Sequence, residues 1–215
     1  MVNIWGNKPG KKSELLLSPI MKVGGYDHPE LPISFSATDD AIAYASWGLI
    51  PAWAKAFAEA DKLRKQTLNA RSETMFEKPA FRQAAHQRCL VWINGFYEWQ
   101  HVGKAKRPFF IHTASPLMAL GGLVSDWLDP ATGATLRTCT VVTTEANALM
   151  SEIHNSKLRM PLILQPDAWA SWLNSSATEA EVMRICQPLP EGILQAEDLT
   201  PPPAEVDEKG QMALF

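Results

Sequence analysis

Most of this chain alternates apolar and polar positions with the two-residue period of strands, and helical spacing is confined to short stretches. The first thirty residues are weakly patterned around one apolar run, Leu15 to Leu17, and read as loop with a short strand. Leu31 to Phe35 and Ala41 to Leu49 read as strands, the second leading into Pro51. The Ala-rich stretch Ala52 to Leu63 predicts helical turns, and Lys78 to His86 a short helix with Pro79 in its first turn. From Arg88 onward strands dominate: Cys89 to Ile93, a turn at Asn94-Gly95, then Phe96 to Trp99, a turn over Val102 to Lys106, and Pro108 to His112. Leu117 to Trp127 and Leu136 to Thr144 flank the turn Asp129 to Gly133, a hairpin signal, and Met160 to Leu164 is a buried strand. Asp167 is placed to cap a helix over Ala168 to Leu173, and Thr178 with Glu181 forms a capping box for a helix ending near Cys186. Strands outnumber helices and several are hairpin-linked, so the fold class is α+β with a curved, largely antiparallel sheet and flanking helices.

The 215 residues, 46% hydrophobic and 20% charged, fit one packed domain over residues 1–199 and exclude wholesale disorder. After Thr200 the Pro-rich, acidic stretch reads as a flexible tail. Three widely spaced cysteines, Cys89, Cys139 and Cys186, exclude a disulfide scaffold and a zinc ribbon. No secretory h-region and no apolar run of about 18 residues is present, which points to a soluble cytoplasmic protein without a membrane partner. The net charge of −3 conceals a basic middle: Ala54 to Thr113 carries eleven Lys/Arg against five Asp/Glu. That is compatible with an anionic ligand as well as with a solvated face.

Four segments hold chemistry-bearing groups: WGLIPAW (Trp47 to Trp53), NARSET (Asn69 to Thr74), GFYEW (Gly95 to Trp99) and HNSKLRMP (His154 to Pro161). Each has a structural alternative. Tryptophans fill cores as readily as they stack on bases, and Asn69 suits a turn. Glu98 is either a water-facing strand residue or an inward carboxyl able to exchange protons. His154 is either a loop residue or an acid/base group. His86, His101, His112 and His154 lack ligand spacing, so neither metal nor cofactor is expected.

In order, WGLIPAW, NARSET with EKPAFR behind it, RCL followed by GFYEW, and IHNSKLRMP resemble the SRAP (SOS response-associated peptidase) family from about Tyr26 to Leu173. The resemblance implies a barrel-like mixed sheet. It implies single-stranded DNA bearing abasic sites as partner, captured as a covalent protein–DNA crosslink in the DNA-damage response, and lyase- or peptidase-class activity limited to self-processing. Carried over by motif, Asn69, Glu98 and His154 are the expected active-site residues. Arg71 and Arg159 are the phosphate ligands, and Trp47 and Trp53 the aromatic pair near the strand.

One departure bears on chemistry. The family's nucleophile is a cysteine directly after the initiator methionine, and this sequence has Val2 there. Three explanations stand: a cysteine-bearing segment upstream, a variant that binds without the stable crosslink, or exposure of the Val2 amine, competent only for a reversible imine. Trp92-Ile93-Asn94 also replaces the family's usual Pro-x-Asp turn. Two further readings remain: a non-catalytic single-strand binder tethered to a clamp, and a cysteine peptidase using Cys89 with His154. The terminal QMALF resembles the short peptide that docks repair proteins on the bacterial sliding clamp, with Gln211, Leu214 and Phe215 as anchors, the alternative being a frayed terminus.

Overall fold

The computed structural model describes residues 2–4, 10–11, 21–38 and 41–201. Its elements are β1 (Val2–Ile4), β2 (Gly10–Lys11), β3 (Met21–Val23), β4 (Glu30–Ser34), β5 (Ala41–Trp47), α1 (Phe57–Arg64) and β6 (Asn69–Arg71). There follow β7 (Arg88–Ile93), β8 (Gly95–Val102), β9 (Ala105–Thr113), β10 (Met118–Leu128), β11 (Thr135–Glu145), α2 (Ala148–Ile153), β12 (Arg159–Pro161), β13 (Ile163–Leu164), α3 (Pro166–Leu173), α4 (Glu179–Ile185) and β14 (Leu194–Asp198). The apolar run Leu15 to Leu17 and the terminal motif lie outside the described residues.

The strand order β11-β10-β7-β4-β5 closes on itself, because β5 pairs back to β11 in parallel through Ser46↔Thr138 and Trp47↔Cys139. The other pairings round this ring are antiparallel. The expected α+β class with a curved, mixed, barrel-like sheet is therefore what the chain forms. Closure buries both faces of β7, and the sequence of that strand answers to it. Cys89, Val91 and Ile93 join Leu31, Ala45, Leu120 and Val141 in a cluster drawn from all five barrel strands. Leu90 and Trp92, on the opposite face, pack with Trp172 of α3 and Val182 of α4. A strand apolar at every position from Cys89 to Ile93 fits only where both sides are covered.

A second sheet, in the order β14-β9-β8-β1-β3, lies against the barrel. Phe96 of β8 and Ile111 of β9 enter the barrel-interior cluster, making one continuous core. Because side chains alternate along a strand, Glu98 leaves β8 on the same face as Phe96. That register directs a carboxyl towards the core side of the sheet.

Several sequence expectations needed correction. The chain bends at Asn94 as expected, but the bend leads into a different sheet and Gly95 has no positive φ. Gly95 serves close packing instead: a Cβ there would lie 2.4 Å from Phe110 Cζ. The hairpin at Val102–Ala105 forms as expected, around Gly103 at φ 60°. Lys78 to His86 yields turns and a short 3-10 segment, Ala84–His86, rather than an α-helix. Helix α1 begins only at Phe57. Helix α3 begins at Pro166 after Gln165, with no side-chain cap, so Asp167 sits inside its first turn. The Thr178/Glu181 capping box is present as expected. Gly48 in WGLIPAW adopts φ +107°, and a Cβ there would meet the Arg64 carbonyl at 2.6 Å. Only glycine fits both restraints.

Candidate functional site

Glu98 and His154, far apart in sequence, come into contact at the edge of the barrel core, with His154 Nδ1 3.8 Å from Glu98 Oε1. Both side chains are largely but not fully buried, 19% exposed for His154 and 25% for Glu98. Helix α2 delivers the imidazole. Its N-terminus is capped by Asn147, whose Oδ1 accepts from Met150 N, while the Asn147 amide donates to the Leu189 carbonyl. Its C-terminus ends on His154, whose backbone N–H donates to the Met150 carbonyl at 2.7 Å. The next residue, Asn155, staples this end to β8: its Oδ1 accepts from His101 N at 3.1 Å and its amide donates to His101 O at 2.9 Å. Gln100 adds a bond from Nε2 to the Glu152 carbonyl.

The His154 tautomer follows from its partners. Nδ1 lies 2.7 Å from the Arg159 carbonyl, which can only accept, so Nδ1 carries the proton. Nε2 is left as the basic nitrogen of the neutral ring. Leu158, just before Arg159, takes the left-handed φ of 53°, strained for a γ-branched residue, and turns the chain back into β12.

Asn69 and Arg71 sit on β6, which pairs in parallel with β11 as Asn69↔Val141, Ala70↔Val142 and Arg71↔Thr143. Ala70 is buried on the helix-covered side, while Asn69 and Arg71 share the face of Val141, a barrel-interior residue, and are exposed at its end. Neither makes a hydrogen bond to Glu98 or His154 among the described residues. Arg159, on the opposite flank of β11 (Glu145↔Arg159), forms a two-point pair with Glu73 of NARSET, Nη1–Oε1 2.5 Å and Nη2–Oε2 2.9 Å. The Arg159 guanidinium holds the Glu73 carboxyl below the usual carboxylate range, so the pair persists at neutral pH. Arg71 has no ion-pair partner among the described residues.

The two tryptophans part company. Trp47 is only 6% exposed, within the barrel-interior cluster, and its Nε1 donates to the Leu68 carbonyl at 2.7 Å. Of the expected aromatic pair, then, Trp47 is enclosed by the core and Trp53 carries the exposed ring. Trp53 is 44% exposed, its Nε1 held by the Pro79 carbonyl of the EKPAFR segment. Cys89 is fully buried inside the barrel and burial pushes its thiol well up. A sealed, protonated thiol ends the reading of Cys89 as a peptidase nucleophile beside His154. Cys139 and Cys186 are also buried, their thiols raised to about 12.

Reading by motif missed Glu73, Gln100 and Asn155, which orient the site without being its reactive groups. Asn155 had a signal in the His-Asn dipeptide. Glu73 lies inside NARSET but its role there had no signal, and Gln100 had none, because their partners lie on other elements. A cavity of about 540 Å³ between Trp92, Trp169, Met118 and Ile193 contains none of the expected site residues. No helix among the described residues is long and apolar enough to cross a membrane.

Fold and site together define a closed mixed barrel with a carboxylate–imidazole contact at the edge of its core. The chain belongs to the SRAP family: the family model described as SOS response associated peptidase (SRAP) matches residues 11–201. Among curated relatives, abasic site processing protein YoqW of Bacillus subtilis (strain 168) is 38% identical over 162 residues, covering 74% of this chain and 69% of the relative. Abasic site processing protein HMCES of Xenopus tropicalis is 32% identical over 177 residues, 71% of this chain and 51% of the relative. The chain thus spans about half of that longer vertebrate protein. A solved protein from Bacteroides thetaiotaomicron superposes with a TM-score of 0.78 at 36% identity, covering 82% of this chain and 76% of the other.

Proposed function

We propose that this protein recognises abasic sites in single-stranded DNA in the DNA-damage response, with Glu98 and His154 as the acid/base pair. The carrying observation is the contact between them in a protein whose relatives process abasic sites. A ring-opened abasic sugar is an aldehyde. An amine adds to its carbon to give a carbinolamine, and loss of the hydroxyl as water needs a proton donor, leaving an imine. Glu98 supplies that proton and His154 Nε2 assists ring opening as base, while Asn69 orients the sugar. Arg71, with no ion-pair partner among the described residues, takes phosphate directly, and Arg159 contributes from within its pair with Glu73. Trp53 offers the exposed ring for a flanking base. Trp47 lends support from the core.

The direction of β1 supports the amine's place. It pairs antiparallel to β8 with Val2↔Phe96, so its N-terminal end runs along β8 towards Glu98. An α-amine there, with a pKa of about 7.7–8.0, is partly unprotonated at neutral pH. With valine at position 2 and the three cysteines buried, no thiol in this sequence is placed to close a ring on the imine. Reversible capture follows. We expect borohydride to trap the protein on an abasic oligonucleotide and not on an intact one, and Val2→Cys to give a crosslink without reductant. Salt-sensitive binding with no trapped species from either chain would instead favour the non-catalytic binder.

We further assign the terminal Gln211, Leu214 and Phe215 to docking on the DNA sliding clamp, which would associate the protein with the nucleoid. A linker raises the local concentration of a tethered domain at its target without new contacts. Deleting residues 211–215 is expected to abolish co-elution with the clamp while leaving affinity for DNA unchanged. Equal co-elution of both forms refutes the assignment.

A further inference from the structure

A relay of hydrogen bonds runs behind the acid/base pair and has no part in the chemistry proposed above. Two acceptors compete for the single Nδ1–H of His154: the Arg159 carbonyl at 2.7 Å and the Glu98 carboxylate at 3.8 Å. A carboxylate is intrinsically the stronger acceptor, so an imidazole free to choose would turn to Glu98. Whether it does depends on where the Arg159 backbone is held.

The Arg159 backbone is anchored by the short ladder Glu145↔Arg159 and by Ala146 N–H donating to the Leu158 carbonyl at 3.1 Å. β12 is three residues long and follows Leu158 in its left-handed conformation. The side chain supplies the further anchor. The Arg159 guanidinium is clamped two-point by Glu73, and its Nη2 also donates to the Thr143 carbonyl at 2.7 Å. We propose that Glu73 is a positioning residue for His154. By fixing Arg159 against β11 it keeps the Arg159 carbonyl in reach of Nδ1–H, holds the imidazole off Glu98, and so leaves both Nε2 and the Glu98 oxygens free for substrate. The two-point geometry makes the clamp directional, which a single ammonium–carboxylate contact would not be. This inference rests on the acid/base reading of Glu98 and His154.

Glu73 is 42% exposed at the surface end of the pair, so the fold tolerates its replacement. The test uses nitrogen-15 NMR of the His154 ring in the full chain without DNA. In the parent, Nδ1 is expected to resonate as a protonated, pyrrole-type nitrogen and Nε2 as a pyridine-type one. In Glu73→Ala the two are expected to move towards each other as the ring leaves the carbonyl, and Glu73→Gln, which keeps one acceptor oxygen, is expected to lie between. Borohydride trapping on the abasic oligonucleotide should fall in Glu73→Ala by on the order of 10²-fold, as for a reacting group displaced by about 1 Å. Ring resonances unchanged in Glu73→Ala overturn the proposal, whatever happens to the melting temperature. Failure of the parent to trap at all counts against the abasic reading, and the DNA-free spectra still decide the role of Glu73.

Discussion

Glu98→Gln is expected to reduce the borohydride-trapped yield on an abasic oligonucleotide by on the order of 10²-fold or more, the range lost when a positioned acid/base group is removed. The substitution preserves shape. It keeps an oxygen able to accept from the Trp99 N–H, the one hydrogen bond the Glu98 carboxylate makes within its own strand. It leaves β8 paired with β9 through Glu98↔Phe109. What it removes is the capacity to give and take a proton where the carbinol oxygen must leave as water. Melting temperature and binding to intact single-stranded DNA should therefore stay at parental values while the covalent step fails. His154→Gln should show the same pattern, since it deletes the nitrogen facing away from the Arg159 carbonyl. Trapping by Glu98→Gln at the parental rate would remove Glu98 from the chemistry and leave a DNA-binding surface without an acid.

The second large effect is on stability and concerns a residue outside the site. Arg88 opens β7 and is buried, yet it forms no ion pair with a carboxylate among the described residues. Its guanidinium donates to three backbone carbonyls: Nε to Trp172 and Nη1 to Ala85, both at 2.6 Å, and Nη2 to Asn174. Trp172 and Asn174 belong to the C-terminal end of α3, where carbonyls lack helical partners and the macrodipole is negative. Arg88 thus ties α3 and the Ala84–His86 turn to the barrel with one cation. Burial lowers its pKa, the expected direction for a cation removed from water. Arg88→Met keeps the stem and volume but strands the buried Trp172 and Ala85 carbonyls, each worth about 1–3 kcal/mol when unsatisfied, and frees the Asn174 carbonyl nearer the surface. We expect a loss of about 4 kcal/mol, partly offset by relief of desolvation, and a melting temperature lower by about 10 °C. Arg88→Lys, with a single compact donor group, should fall between. A change below about 1 kcal/mol in denaturant unfolding would show that water replaces the guanidinium at α3 without cost.

These two residues mark the limit of what is legible along the chain. Glu98 stands out in sequence because a carboxylate inside the aromatic run GFYEW conflicts with its surroundings, and such conflicts concentrate at functional sites. Arg88 does not stand out, since its acceptors are backbone atoms of an element much later in the chain. Trp47 is ambiguous in sequence for a related reason. An indole beside Gly48 suits a stacking platform as well as a core, and only the closing β5–β11 pair decides that it points inward.

Taken alone, the amino-acid order determined the local grammar: strand periodicity, the Gly103 and Gly133 hairpins, the capping box of α4, and four motifs whose succession marks the family. Tertiary structure alone decided that β7 and β8 enter different sheets instead of forming a hairpin, and that Asn155 brings His154 to Glu98. It alone decided that Glu73 engages Arg159. Periodicity reports which face of an element is apolar, and that is set by neighbours a few residues away. Which elements then share a face is set by closure of the barrel and by hydrogen bonds to backbone atoms, and these carry no signature at the residues that make them.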